Sequence, residues 1–137
     1  MNIAVRYYTK TGNSKKLAEA VGNELSIEAL SIENDLIEEV DILFLANSVY
    51  YAGIDKNVKE FLNRNKDKIK LLINISSAAL IKSTYSQMKN ITKKLGINLS
   101  EDEFHTKGSF KGINKNRPNE DDIKNLTEFI KNLSLNK

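Results

Sequence analysis

Apolar residues in this chain follow two alternating patterns. Short continuous apolar runs predict buried strands, whereas apolar residues three and four positions apart predict helices with one inward face. The runs place strands at residues 2–8, 27–32, 41–46, 71–75 and, faintly, 104–107. The helical spacing places helices at residues 14–25, 55–64 and 83–95, and a last helix after Pro118, where acidic residues fill the first turn. Strands therefore alternate with helices along the sequence.

This alternation is typical of an open α/β fold. Five parallel strands with right-handed crossovers form one sheet with helices on both faces, which makes three layers. Ligands of such sheets bind beyond the carboxyl ends of the strands. We therefore expect the functional residues in the loops at that edge, which are residues 9–14, 47–54, 76–82 and 107–116. The charged stretch at residues 65–70 is interpreted as a solvated flank of the second helix.

Composition narrows the class of protein. The 137 residues are 40% hydrophobic and 28% charged, which predicts one globular domain over residues 1–137. No run approaches the roughly 20 apolar residues of a membrane span, and no signal peptide is apparent, so we expect a cytoplasmic protein with no membrane partner. Lysines are interleaved with acids and the net charge is only +3, so a nucleic-acid partner is not expected.

The scarcity of cysteine and histidine excludes several chemistries. The chain has no cysteine, which removes disulfides, thiolate metal sites and cysteine nucleophiles. The single histidine, His105, lies on the faint last strand, where we interpret it as structural. A histidine-based metal site or a Ser-His-Asp triad is therefore disfavoured, and neither catalytic nor metal-ligating residues are predicted.

The loop between the first strand and the first helix has the residues of a phosphate site. It carries three hydroxyls, one glycine and one amide, at Thr9, Thr11, Ser14, Gly12 and Asn13. The following helix adds unpaired N–H groups and a partial positive charge, and Asn13 or Ser14 is expected to be its N-cap. The alternative is an ordinary turn, since turns favour the same residues. The P-loop and the dinucleotide G-x-G-x-x-G fingerprints are both absent.

Three segments together resemble the flavodoxin family. Thr9 to Ser14, T-K-T-G-N-S, resembles the family's [ST]-x-T-G-x-[ST] phosphate-binding signature. Residues 47–54, N-S-V-Y-Y-A-G-I, resemble its P-x-Y-x-G loop, with Asn47 or Ser48 where proline is usual. Residues 112–122, ending in P-N-E-D-D, resemble the G-x-P-N-E-x-D segment of short members. The resemblance implies a flavodoxin-like sheet of order 2-1-3-4-5 and an FMN cofactor whose phosphate is held by the first loop.

The resemblance also implies where FMN would be held. The phosphate cradle would comprise Thr9, Lys10, Thr11, Gly12, Asn13 and Ser14. The loop after the third strand would cover the flavin through Ser48, Tyr50, Tyr51, Ala52 and Gly53, with Tyr50 or Tyr51 stacked on the ring because a phenol face is large and flat.

Two further parts of this implied site have plainer alternatives. A peptide at Gly53 would be able to turn towards the flavin N5, because glycine permits both backbone signs. The loop after the fourth strand would offer backbone contacts from Ser76, Ser77 and Ala78. The alternatives are ordinary turn residues at positions 50, 51 and 53 and a plain strand end at Ser76 and Ser77.

Three functions remain open from the sequence. The first is a carrier that binds FMN and passes electrons between partner proteins in transient complexes. The second is an FMN-dependent reductase that takes hydride from a nicotinamide cofactor to a quinone-type acceptor. The third is an α/β scaffold without flavin. The absence of a second nucleotide fingerprint favours the carrier, whereas the absence of cysteine excludes a low-molecular-weight phosphatase.

Overall fold

The computed structural model describes residues 1–49, 53–78, 83–108, 114–133 and 135. The strands in these parts of the chain are β1 (Ile3–Tyr7), β2 (Ala29–Ser31), β3 (Ile42–Val49), β4 (Leu72–Ala78) and β5 (Leu99–Lys107). The helices are α1 (Asn13–Leu25), α2 (Lys56–Asn65), α3 (Tyr85–Leu95) and α4 (Glu120–Asn132), with a short 3₁₀ turn at Lys66–Lys68. Every strand pairs in parallel in the order β2-β1-β3-β4-β5. The predicted fold class and strand order are confirmed.

Two apolar layers cover the two faces of the sheet. On one face, strand residues including Leu43, Leu45 and Leu72 pack with the inner sides of α2 and α3. On the other face, Phe44 and Ile75 pack with α1 and α4. Consecutive strand residues point to opposite faces, so the continuous apolar runs supply both layers at once. The helices thus flank the sheet as expected, and all strand ends with the same polarity meet at one edge.

The two central strands extend further than predicted. β3 continues to Val49 and β4 to Ala78, so Asn47, Ser48, Ser76 and Ser77 are strand residues and not loop residues. Their backbones pair Asn47 with Ser76 and Ser48 with Ser77. The prediction followed the apolar pattern, so it ended these strands before Asn47 and Ser76. The pairing of β3 with β4 continues past these residues, because it depends on backbone hydrogen bonds and not on apolar side chains.

Two peripheral segments also differ from expectation. β5 has nine residues, whereas only residues 104–107 were predicted. The prediction was too short because β5 is a half-exposed edge strand, and its acidic residues interrupt the apolar pattern. Asn65 is buried, so the stretch at 65–70 is not simply a solvated flank. Its side chain donates to the carbonyl of Phe61 at 2.8 Å and accepts from the N–H of Leu36 at 2.9 Å. Asn65 therefore fixes the β2–β3 connection against α2.

Within the described ranges, no helix has both the length and the apolar character that crossing a bilayer requires.

Candidate functional site

The loop from Thr9 to Ser14 leads directly into α1 at the carboxyl end of β1. Gly12 is the N-cap, with φ 94°, and no side chain caps this helix end. The expectation that Asn13 or Ser14 is the N-cap is therefore wrong, because the loop turns through a left-handed residue that glycine adopts readily. The N–H of Gly12 donates to Thr9 Oγ1 at 2.7 Å. This leaves the Thr9 hydroxyl proton available to a ligand.

Three buried serines connect this loop to the two central strands. Ser14 Oγ lies 2.6 Å from Ser48 Oγ, which lies 2.7 Å from Ser77 Oγ. We call these three residues the serine chain. They come from α1, β3 and β4, so the structure brings together one predicted site residue from each of three segments. Three hydroxyls carry three protons and make two mutual hydrogen bonds, so one proton remains, and it lies at Ser14 or Ser77 when both bonds run in the same direction along the chain.

Gly108 closes the same side of the edge. A Cβ on this residue would lie 2.8 Å from Asn13 Nδ2 and 3.1 Å from Ser77 Oγ, so only a glycine fits without displacing them. Its N–H donates to the carbonyl of Ala78 at 3.2 Å. Sequence reasoning placed Gly108 in a loop and gave it no role. The available signal was a glycine immediately after the last strand, at the functional edge.

A second polar group lies on the opposite face of the same strands. Asn47 Nδ2 donates to Asn74 Oδ1 at 2.7 Å, and Asn74 Nδ2 donates to Thr84 Oγ1 at 2.9 Å. We call these three residues the amide cluster, and all three are fully buried. Asn47 Oδ1 has no partner among the described residues, which leaves one buried acceptor at the end of β3. Asn74 was not predicted as a functional or structural polar residue. The sequence feature that could have indicated it is a single amide inside the apolar run L-L-I-N-I.

Ser76 belongs with the amide cluster and not with Ser77. Its Oγ lies 3.5 Å from the N–H of Thr84 and 3.4 Å from His105 Nδ1. Burial lowers the pKa of His105, and the nearby Glu103 opposes that shift. The neutral imidazole is thereby favoured beside the Ser76 hydroxyl. This environment is consistent with the structural role expected for His105.

The segment before α4 is held by an ion pair and a helix cap. Arg117 contacts both carboxylate oxygens of Asp122 at 2.6 Å, and Asn119 and Asp122 form a reciprocal capping box. Burial alone would raise the pKa of Asp122, but hydrogen bonds, first from Arg117 and then from Asn119 and Thr106, lower it overall. Lys16 Nζ donates to the carbonyl of Pro118 at 3.1 Å, which ties this segment to the first turn of α1.

The remaining predicted residues occupy different settings. Thr11 is exposed beside Gly12, and Lys10 pairs with Asp55 at 3.5 Å. Ala78 is buried at the end of β4, and Gly53 precedes α2. Tyr50, Tyr51 and Ala52 lie outside the described residues.

The start of α1 has the donors that a phosphate group requires. It has no side-chain cap and no acidic residue in its first turn, whereas Lys15 and Lys16 stand there. Two cations at the positive end of a helix are unfavourable alone and become favourable around an anion. The residues present therefore fit the phosphate of FMN.

A separate cleft adjoins the loop on the β2 side. It has a volume of about 360 Å³ and includes Tyr7, Tyr8 and Thr9 together with Glu33, Asn57 and Arg64. Thr9 belongs both to this cleft and to the loop that precedes α1. A small molecule bound in this cleft would thus lie next to a phosphate group bound by that loop.

Comparisons with known proteins agree with this architecture. A family model described as a flavodoxin domain matches residues 4–115. A protein of Methanocaldococcus jannaschii named only as uncharacterized is 28% identical over 137 residues, covering 90% of this chain and 91% of that protein. A flavodoxin from the domain Archaea superposes with a TM-score of 0.72 at 15% identity, covering 95% of this chain and 94% of its own.

A second solved structure gives a similar result. Oxidised flavodoxin 1 from Bacillus cereus superposes with a TM-score of 0.71 at 13% identity, covering 98% of this chain and 100% of its own. At such identities the structural likeness establishes the fold alone, whereas the family match spans most of the chain.

Proposed function

Because the chain belongs to the flavodoxin domain family, we propose that it binds FMN at the carboxyl edge of its sheet and carries electrons. The observation that carries this proposal is the loop from Thr9 to Ser14, which meets the start of α1 with no side chain in the capping position. A phosphate there would accept hydrogen bonds from the first N–H groups of the helix and from nearby hydroxyls.

The residues of the phosphate cradle would bind the phosphate in different ways. Thr9 and Thr11 would donate their hydroxyl protons, Gly12 would keep the backbone close, and Asn13 and Ser14 would supply helix N–H groups. Ser14 would also donate the spare proton of the serine chain if Ser77 donates to Ser48 and Ser48 to Ser14. Lys10, within the loop, adds a positive charge that the carboxylate of Asp55 at 3.5 Å partly offsets.

The rest of the edge would hold the flavin ring. We propose that Tyr50 or Tyr51 stacks on it, beside Ser48, Ala52 and Gly53. The backbone of Ser76, Ser77 and Ala78 would contact the polar rim of the ring. Bound FMN would supply the ability to accept and release one or two electrons, which no side chain of this protein provides.

A comparison of two ligands tests whether the loop binds phosphate. Thr11→Ala removes a hydrogen bond to a charged group, worth about 1.5–3 kcal/mol, so the Kd for FMN should rise about ten-fold or more. Riboflavin lacks the phosphate, so its Kd should change little. The matched control is Thr127→Ala in the second half of α4, which should leave both Kd values unchanged.

Fluorescence titration of the purified protein measures these constants. Equal weakening of FMN and riboflavin by Thr11→Ala would mean that the loop does not recognise phosphate. If the parent protein does not bind FMN, the proposal is wrong, and the α/β scaffold that binds no flavin is the function that remains.

The charge distribution indicates the kind of redox partner. α3 carries Lys89, Lys93 and Lys94 and no acidic residue, and the exposed side of α2 presents Lys56 and Lys59 together with Glu60. Of these lysines, Lys59 and Lys94 border the same groove as Gly53, near the proposed flavin. We propose that this surface docks transiently against an acidic protein, so electron exchange should slow as ionic strength rises.

The cleft beside Thr9 supports a second candidate function. Its volume of about 360 Å³ and its two tyrosines offer a place for a second planar molecule. An FMN-dependent NAD(P)H:quinone-type reductase would use such a place. Steady-state assays with NADH, NADPH and quinones separate the two functions, since a carrier alone should oxidise nicotinamide negligibly and a reductase should do so rapidly.

A further inference from the structure

Gln87 on α3 contacts the loop that follows β3. Its Oε1 accepts a hydrogen bond from the backbone N–H of Ile54 at 2.9 Å. The same oxygen lies where a side chain of Gly53 would begin, since a Cβ built there would be only 2.7 Å away. Gln87 therefore contacts the peptide between Gly53 and Ile54 through one hydrogen bond, to its N–H, and occupies the space beside the Gly53 Cα.

The surroundings fix this peptide on one side only. The Ile54 side chain is buried in the apolar layer under α2 and α3, and Asp55 caps α2 through the N–H of Asn57. Gly53 has φ +93°, a conformation that other residues rarely adopt. The chain after the peptide is thus anchored, while the chain before it turns through a residue with wide conformational freedom.

The hydrogen bond to Gln87 determines where the Gly53 carbonyl points. In a trans peptide the N–H and C=O groups point in opposite directions. Because the N–H of Ile54 points to Gln87, the carbonyl of Gly53 points away from that side chain. Without an acceptor at position 87, the peptide would lose the contact that selects this orientation.

We propose that Gln87 is a positioning residue that orients the Gly53–Ile54 peptide and so presents the Gly53 carbonyl to a hydrogen-bond donor on FMN. This inference rests on the proposed binding of FMN near Gly53. Gln87 itself acts only through the peptide. Nothing in the sequence pattern indicates the contact, since the two residues are 33 or more positions apart and belong to different elements.

Three variants isolate the acceptor. Gln87→Met keeps the length of the side chain and removes the amide, whereas Gln87→Glu keeps an oxygen that accepts from Ile54. Asn90→Ala is the matched control, since Asn90 is exposed on the same helix and borders the same groove as Gln87. Urea unfolding of each variant shows whether the fold is retained.

Hydrogen exchange of the Ile54 amide in the protein without FMN is the first measurement. A neutral hydrogen bond contributes about 0.5–1.5 kcal/mol, so Gln87→Met should speed this exchange by about two- to ten-fold relative to core amides such as that of Leu45. Gln87→Glu and Asn90→Ala should exchange as the parent does. Unchanged Ile54 exchange in Gln87→Met would overturn the proposal.

The Kd for chemically reduced FMN is the second measurement on the same variants, because N5 of the flavin has a proton to donate only after reduction. Gln87→Met should raise it by about two- to ten-fold, and Gln87→Glu should restore it. Faster Ile54 exchange with an unaltered Kd would overturn the link to the cofactor. A parent protein that binds no FMN would overturn the proposed function instead, and the exchange result would still decide whether Gln87 orients the peptide.

Discussion

The serine chain and the amide cluster lie on opposite faces of β3 and β4. Ser48 follows Asn47, and the alternation of strand side chains sends them to opposite faces. A serine hydroxyl rotates freely and exchanges donor and acceptor roles, whereas an amide has fixed donors and a fixed acceptor. The serine chain is therefore able to adapt to a ligand at α1, while the amide cluster is suited to hold the start of α3.

The neighbours of the two groups support this division. Asn47 Nδ2 lies near Asn74 Oδ1 and within 3.1 Å of the carbonyl of Leu45, so rotation of its amide would break several contacts. The serine chain ends at Ser14, in the first turn of a helix that no side chain caps. In the proposed arrangement, alternate residues of the same strands thus serve stability on one face of the sheet edge and FMN binding on the other.

The largest effect should follow from breaking the amide cluster. Asn74→Ala takes one hydrogen-bond partner from Asn47 and one from Thr84 in a buried site, and the loss of such a partner costs about 1–3 kcal/mol for each group. Urea unfolding should show a loss of about 3–5 kcal/mol once the lost packing is included. The FMN affinity of the folded variant should stay close to that of the parent. A large loss of affinity with little loss of stability would reverse the roles of the two clusters.

The sequence predicted the fold because strands buried on both faces have continuous apolar runs. For the same reason it predicted which loops meet at one edge, since parallel strands end together. It did not predict the two clusters, because Ser76 and Ser77 are chemically alike and only the register with Asn47 and Ser48 assigns them to faces. Gly108 likewise has no role until Asn13 and Ser77 are placed beside it.

A smaller effect is expected at Gly108, on the side of the serine chain. Gly108→Ala introduces a Cβ against Asn13 and Ser77, and such overpacking typically costs about 1–3 kcal/mol. Because Asn13 opens α1, the displacement should weaken FMN more than it weakens the fold. Titration with FMN should therefore detect the change, and the matched control is Gly96→Ala, which would meet no neighbouring atom within 4 Å. Gly96 has φ +75°, so that control reports backbone strain without contact to the site.

The serine chain itself is tested at its central member. Ser48→Ala removes both mutual hydrogen bonds and should lower the free energy of unfolding by about 1–2 kcal/mol. If the chain orients the proton of Ser14 towards the phosphate, the Kd for FMN should rise several-fold while that for riboflavin stays the same. Ser86→Ala, on the exposed side of α3, serves as the control. An unchanged preference for FMN over riboflavin would confine the serine chain to a structural role.

The smallest effect concerns His105, at the margin of the amide cluster. Burial lowers the pKa of His105 in the folded protein, so below an unfolded pKa of about 6.5 the unfolded chain binds more protons. Stability contributed by the neutral imidazole is therefore present above that pH and is lost as the pH falls towards the folded pKa. The carboxyl groups with lowered pKa values, Asp35, Asp41 and Asp122, start from ordinary values near 3.8, so their contribution is lost at lower pH.

His105→Gln should flatten the decline in stability between about pH 7 and pH 5, because glutamine keeps a polar contact for Ser76 and does not titrate. Urea unfolding across this range, with the parent alongside, measures the difference in slope. The Kd for FMN should vary with pH equally in both proteins, since His105 contacts the face opposite the serine chain. A change in FMN affinity that tracks the titration of His105 would show that the two faces of the edge are coupled, and the division between the two clusters would then fail.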